Sequence, residues 1–242
     1  KGYSPATILP DIPLDVGFSA LYIPQNFNNR FNGPIRFRIA LASSLNVPAV
    51  YLLNQLGMET YLEKLRELHF ESLENQTPGL GLALGNAEVS LFELVNAFSV
   101  FPKNGYYVPN NFLQNIDIET DVKSKSTQVF SYDTSALICD ILSDENSRAL
   151  GFGYSEVFKP GFDAIFKTGT ANQYQNITAL GATPLYTVGV WMGNFDGETV
   201  LGKTGSSIPA AICKEILMYL QGTENVKFAP PNQWEKVEIC SL

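Results

Sequence analysis

Apolar positions fall at helical spacing through the first two thirds of the chain and at strand spacing in the last third. Residues 35–42 and 47–56 read as two helices separated by Ser43-Ser44-Leu45-Asn46. Pro34 and Pro48 suit first helical turns, where a missing N–H costs nothing. Gly57 is placed to end the second helix. Tyr61, Leu65 and Leu68 follow at i, i+4 and i+7, and Leu91, Leu94, Val95 and Phe98 mark an amphipathic helix ahead of Gly105. Residues 79–86 form a glycine-rich turn region, residues 106–119 and 128–130 read as strand and turn, and residues 134–142 as a helix. Residues 164–167 then form a short strand. Tyr186, Val188, Val190 and Met192 share one face at period two, and with residues 177–181 before them they predict an antiparallel hairpin. Ile212, Ile216, Tyr219 and Leu220 predict a closing helix. Residues 1–33 are rich in Pro, Asn and Gly and read as an extended, looping segment. Helices in the middle and a late antiparallel sheet predict an α+β fold.

Composition narrows the function classes. The chain has 242 residues, 45% hydrophobic and 17% charged, with a formal net charge of −8. It can bury a core. It has no stripe of Lys and Arg to neutralise phosphates, which argues against nucleic acid. No apolar run approaches the length of a bilayer span. Cys139, Cys213 and Cys240 form no Cys-x-x-Cys pair; the first two sit in apolar runs and read as buried small hydrophobes, and Cys240 lies in a polar tail. His69, the single histidine, sits in a leucine-rich stretch and reads as a packing residue, which disfavours a Ser-His-Asp or Cys-His mechanism. Acidic clusters such as Asp144-Glu145 read as solvated helix ends.

Two short motifs carry candidate chemistry. Lys167-Thr168-Gly169-Thr170 ends an apolar strand: the lysine supplies positive charge, the threonine hydroxyls can hold a carboxylate, and the glycine lets a ligand lie close to the strand. Alone the motif is also compatible with a strand that stops at a glycine turn, and a second Lys-Thr-Gly occurs at Lys203-Thr204-Gly205. Ser44-Leu45-Asn46 sets a hydroxyl two residues from an amide at a break between helices, though Ser43 or Ser44 could equally cap the helix that follows. A rival lies in residues 197–204, which fit the phosphate-loop pattern G-x-x-x-x-G-K-[ST]. Gly205 and Pro209 interrupt the helix that pattern needs, and the strand before it reads as antiparallel.

Ser-x-Asn followed far downstream by Lys-Thr-Gly is the order of motifs in penicillin-binding proteins and serine β-lactamases. The segments Tyr22-Ile23-Pro24-Gln25-Asn26-Phe27, Ala40-Leu41-Ala42-Ser43-Ser44-Leu45-Asn46-Val47-Pro48 and Val188-Gly189-Val190-Trp191-Met192-Gly193-Asn194-Phe195 resemble the class A-like, bifunctional penicillin-binding proteins of the 1C branch. The resemblance spans nearly the whole chain. It implies a penicillin-binding, serine β-lactamase-like transpeptidase fold: an antiparallel sheet flanked by helices, beside a helical lobe.

The resemblance further implies acyl transfer through a serine acyl-enzyme, with stem peptides ending in D-Ala-D-Ala as donor, an amine as acceptor, β-lactams as inhibitors and no cofactor. Ser44 would pass a proton to the leaving nitrogen, and Asn46 would hold the base lysine and the substrate amide. Lys167 would supply a positive field, while Thr168, Gly169 and Thr170 would bind the substrate along the strand. The family nucleophile belongs to a Ser-x-x-Lys motif, and no serine here has a lysine three residues later. That motif is expected ahead of Lys1, together with a membrane anchor and a glycosyltransferase domain. Residues 1–227 are expected to form a partial transpeptidase domain and residues 228–242 a linker to a further domain. Where the family often carries Arg-Asp after the Lys-Thr-Gly-Thr strand, this chain has Tyr174-Gln175. A carboxypeptidase or β-lactamase-like hydrolase and a non-catalytic scaffold are the alternatives.

Overall fold

A computed structural model describes residues 2–14, 24–112, 125–171, 174–200, 204–235 and 237–239. Its centre is an antiparallel sheet of three strands, β5 (Ile165–Thr170), β6 (Asn176–Ala182) and β7 (Thr187–Gly193). Here the predicted hairpin is found, with Ala179 opposite Val190 and Leu180 opposite Gly189. Earlier elements follow in order: β1 (Ile8–Asp11), β2 (Gly33–Arg36), α1 (Phe37–Ala42), α2 (Asn46–Leu56), α3 (Met58–Glu67) and α4 (Leu91–Phe98). Two-residue strands β3 (Tyr106–Tyr107) and β4 (Thr127–Gln128) pair with each other, and α5 (Tyr132–Ser143) and α6 (Glu145–Phe152) lead into the sheet. α7 (Ile208–Gln221) closes it.

Each face of the sheet is covered. On one, Phe166, Ala179 and Val188 pack against Ala210, Cys213 and Leu217 of α7. On the other, Ile165, Leu180 and Ala182 meet Phe98 of α4 and Cys139 and Leu142 of α5. A fully buried Leu such as Leu217 contributes about 1.5–3 kcal/mol relative to exposure. Burial also pushes the thiols of Cys139 and Cys213 up to about 12, so both act as small hydrophobes. Among the described residues no helix is long and apolar enough to cross a membrane.

Three local expectations are corrected. Residues 33–36 do not begin a helix: β2 pairs with β1, and Pro34 lies opposite Pro10, where neither proline is asked for an N–H. Helix α1 starts only at Phe37. Asp144 starts a helix that the pattern did not reveal, α6, by accepting hydrogen bonds from the N–H groups of Asn146 and Ser147 at 2.9 and 3.3 Å. Finally, the stripe Ile212, Ile216, Tyr219 and Leu220 of α7 faces outward, and the buried side is Pro209, Ala210, Cys213, Leu217 and Gln221. That helix is apolar nearly all round, so period alone does not select its face. Close approach to the sheet does: a Cβ on Gly181 of β6 would lie 2.7 Å from Cys213 Sγ and 2.9 Å from Leu217 Cδ1, so glycine there makes room for those two side chains.

His69 lies just past α3, exposed, with its ring stacked on Tyr107 at 4.3 Å between ring centres. Cys240 and Lys203 lie outside the described residues. Beyond α7 the chain runs back along α5, where Tyr132 Oη donates to the Pro230 carbonyl and Asn232 N–H to Asp133 Oδ1.

Candidate active site

A cleft of about 270 Å³ lies where the α1–α2 turn faces β5, lined by Ser44, Asn46 and Lys167 through Thr170. The six predicted site residues, from segments more than a hundred positions apart, thus meet in one place.

The turn that carries Ser44 has a definite origin. Ser44 N–H donates to the Leu41 carbonyl at 3.2 Å and Leu45 N–H to the Ala40 carbonyl at 2.9 Å. This is the Schellman arrangement for ending a helix, with Ala40 and Leu45 also in one apolar cluster. It demands a left-handed residue, usually glycine, and here that residue is Ser44 at φ 56°. A side chain in this conformation costs roughly 1–2 kcal/mol. Neither Ser43 nor Ser44 caps α2. Ser43 Oγ donates instead to the Ser147 carbonyl at 2.8 Å, and Leu45, which has no side-chain acceptor, holds the capping position.

Lys167 Nζ donates to Ser44 Oγ at 2.5 Å and to the Thr168 carbonyl at 3.1 Å. An ammonium only donates, so Ser44 Oγ accepts and its own hydrogen is free to point elsewhere. Enclosure of the ammonium by protein, followed by the charge of Arg148, brings the Lys167 pKa down to about 8. Arg148 is itself buried; its guanidinium donates to the Leu142 carbonyl, reaches the Phe166 carbonyl at 3.5 Å and lies 4.6 Å from the Phe158 ring centre. Burial lowers its own pKa to about 10.

β5 is an edge strand among the described residues. Ala171 N–H bonds the Asn176 carbonyl, so by antiparallel alternation Thr168 and Thr170 turn their backbone groups to the open edge. The bond from Lys167 to the Thr168 carbonyl agrees with that direction. An extended peptide can therefore add to this edge. Lys167 shares its sheet face with Ile165 toward the helical lobe, and Thr168 and Thr170 share the face of Phe166.

Sequence reasoning missed two contributors. Gly205, from the second Lys-Thr-Gly copy, donates its N–H to Thr170 Oγ1 at 3.1 Å, and a Cβ there would lie 2.4 Å from the Thr178 carbonyl oxygen and 2.5 Å from that of Gly169. The duplicated tripeptide was the visible signal; that it lies against the first copy was not. Asn26 is the other, with Asn46 N–H donating to its Oδ1 at 2.9 Å. The phosphate-loop rival lacks its context: β7 is antiparallel to β6, and α7 begins at Ile208, beyond the Gly-Lys pair.

The penicillin binding protein transpeptidase domain profile matches residues 4–217. The chain belongs to this family. Penicillin-binding protein 1C of Escherichia coli K12 is 28% identical to it over 240 residues, covering 98% of this chain and 30% of that protein. Penicillin-binding protein 1F of Bacillus subtilis 168 is 32% identical over 243 residues, covering 96% of this chain and 33% of that protein. The chain thus spans about a third of these relatives. Among solved structures, the penicillin-binding protein PonA1 of Mycobacterium tuberculosis superposes with a TM-score of 0.82 at 21% identity, over 100% of this chain and 70% of that one. Penicillin-binding protein 1A of Haemophilus influenzae gives 0.78 at 20% identity, over 96% and 41%. The α+β architecture is the penicillin-binding transpeptidase fold, and the chain is a transpeptidase domain of the class A kind. In this penicillin-binding domain, Tyr174 follows the Lys-Thr-Gly-Thr strand at φ 57° and meets Phe27 edge-to-face at 6.3 Å, joining the segment after β5 to the one that precedes β2.

Proposed function

We propose that this cleft is the acyl-transfer site of a peptidoglycan D,D-transpeptidase of the 1C kind. The contact between Lys167 Nζ and Ser44 Oγ carries the reading, because it joins the two motifs in the geometry of a proton path. A stem peptide ending in D-Ala-D-Ala adds along the open edge of β5, its carboxylate drawn by Lys167 and held by the hydroxyls of Thr168 and Thr170. The Thr170 N–H, on that edge, polarises the scissile carbonyl. The nucleophile is the serine of a Ser-x-x-Lys motif upstream of Lys1. It gives its proton to the base lysine of that motif as it adds to the penultimate carbonyl, the C–N bond to the terminal D-Ala breaks, and Ser44 relays the proton from that lysine to the departing amine. An amine of a second stem then takes the acyl group and restores the serine. Asn46 holds the base lysine of that upstream motif and the substrate amide. β-Lactams acylate the same serine and remain attached. The site works on the extracytoplasmic side of a bacterial membrane, with an anchor and a glycosyltransferase domain preceding it and residues 228–242 leading to a further domain.

The test is acylation of the full-length protein by fluorescent penicillin. Lys167→Ala should slow it about 100-fold or more, the scale for removing a preorganised electrostatic group. An acylation rate equal to wild type would sink the reading. Release of free D-Ala without cross-linking would assign a hydrolase instead.

A further inference from the structure

Asp11, at the end of β1, is fully buried, and Asn26 is 3% exposed. Neither belongs to the two motifs of the cleft. The Asp11 carboxylate accepts from Asn26 Nδ2 at 2.7 and 2.9 Å, from the Asn32 backbone N–H at 3.0 Å and from Asn32 Nδ2 at 2.5 Å. Among the described residues it forms no ion pair, so these donors are what makes its burial tolerable. Because a carboxylate only accepts, it fixes the direction of the Asn26 amide: the NH2 group must face Asp11 and the carbonyl must face away. The second Asn26 N–H hydrogen is held by the Arg30 carbonyl at 2.7 Å.

The carbonyl end faces α2. It accepts from the N–H of Asn46 at 2.9 Å and from that of Val47 at 3.3 Å. Both groups belong to the unsatisfied first turn of that helix, which Leu45 at the capping position has no side-chain acceptor to serve. Asn26 is thus a cap supplied from twenty residues away. The adjoining Gln25 carbonyl accepts from Asn46 Nδ2 at 2.8 Å. Asn46 is therefore gripped at its backbone and at its side chain by consecutive residues of one loop, and that loop is anchored through Asp11 to β1.

We propose that Asn26, oriented by Asp11, is a positioning residue for acyl transfer that holds Asn46 in the cleft from outside the two motifs that line it. The proposal rests on the transpeptidase reading of the cleft. It also accounts for an expensive feature, a buried carboxylate whose partners lead to the one catalytic segment that cannot cap its own helix.

The experiment exchanges donor and acceptor in the full-length protein and follows acylation by fluorescent penicillin. Asn26→Asp sets two carboxylates against each other and an oxygen against the Arg30 carbonyl, and Asp11→Asn replaces the acceptor-only partner with an amide that no longer fixes which way the Asn26 amide faces. Each single variant should slow acylation about tenfold or more, the scale of a displaced catalytic group. The Asp11→Asn/Asn26→Asp double variant restores a donor facing an acceptor and keeps an oxygen on α2, while the Arg30 carbonyl loses its donor, so it should acylate about threefold or more faster than the slower single variant. Single variants that acylate normally would overturn the proposal, as would a double variant no faster than either single one. If Asn26→Asp does not fold, Asp11→Asn and the double variant carry the comparison. Hydrogen exchange at the Asn46 and Val47 amides is read in parallel and should quicken about tenfold or more in the single variants. Should wild type take up no penicillin, the transpeptidase reading fails by itself. The exchange rates then decide the contact, and unchanged protection of those two amides would refute it.

Discussion

The Gly205 N–H reaches Thr170 Oγ1 at 3.1 Å, and the Gly205 backbone lies so close that a Cβ would come within 2.5 Å of the Gly169 carbonyl oxygen. One Lys-Thr-Gly copy thus supports the other from the α7 side of the sheet. The bond occupies a lone pair of the Thr170 hydroxyl and leaves its hydrogen to donate to a substrate carboxylate.

Gly205→Ala should therefore disturb β5 at the site. The expected cost is about 1–3 kcal/mol, as for other overpacked positions, because the crowded atoms are backbone and cannot swing aside. Acylation by penicillin should fall with it. Thermal unfolding and acylation rate measured on the same variant check this, and wild-type values for both would refute the close contact.

Ser44 occupies a conformation that favours glycine, and the proposed proton path gives its hydroxyl a reason to be kept there. Ser44→Gly and Ser44→Ala both delete the hydroxyl, but only alanine retains the left-handed strain. Ser44→Gly should be more stable than Ser44→Ala by about 1 kcal/mol, while both lose acylation to a similar extent. Denaturant midpoints compare the stabilities. Equal stability would show that the Ser44 backbone relaxes out of the left-handed region.

Lys167, brought down to about 8 from 10.5, gives a pH dependence with a definite sign. Its cationic form serves the proposed carboxylate contact, so the second-order acylation rate should fall as pH rises through about 8. Removing the neighbouring charge with Arg148→Met should move that limb to higher pH, though not all the way to 10.5, since enclosure is the larger cause. Stability moves the other way. Between about 8 and 10.5 the unfolded chain holds a proton on this lysine that the folded chain has lost, so stability rises with pH across that window. A rate profile flat to pH 10 would remove Lys167 from carboxylate binding.

Much of the cleft was legible because its parts are local signals. The Ser44-Leu45-Asn46 break interrupts a helical pattern, the strand ending in Lys167-Thr168-Gly169-Thr170 is written in apolar residues, and the β6–β7 hairpin is written in alternation. Gly57, at φ 88°, ends α2 where glycine is favoured.

What the chain did not disclose depends on partners distant in sequence. Pro34 reads locally as a helix start, and only Ile8–Asp11, more than twenty residues earlier, makes it a strand. The two apolar stripes of α7 are equivalent until Gly181 lets Cys213 and Leu217 approach the sheet. Asn26 looks like any loop polar residue until Asp11 fixes which end of its amide faces α2. The sequence by itself determined the elements and the chemical groups, since propensity and period act over a few residues. The tertiary structure alone decided which strand pairs, which face is buried and which lone pair meets which hydrogen, because those contacts are made across the fold.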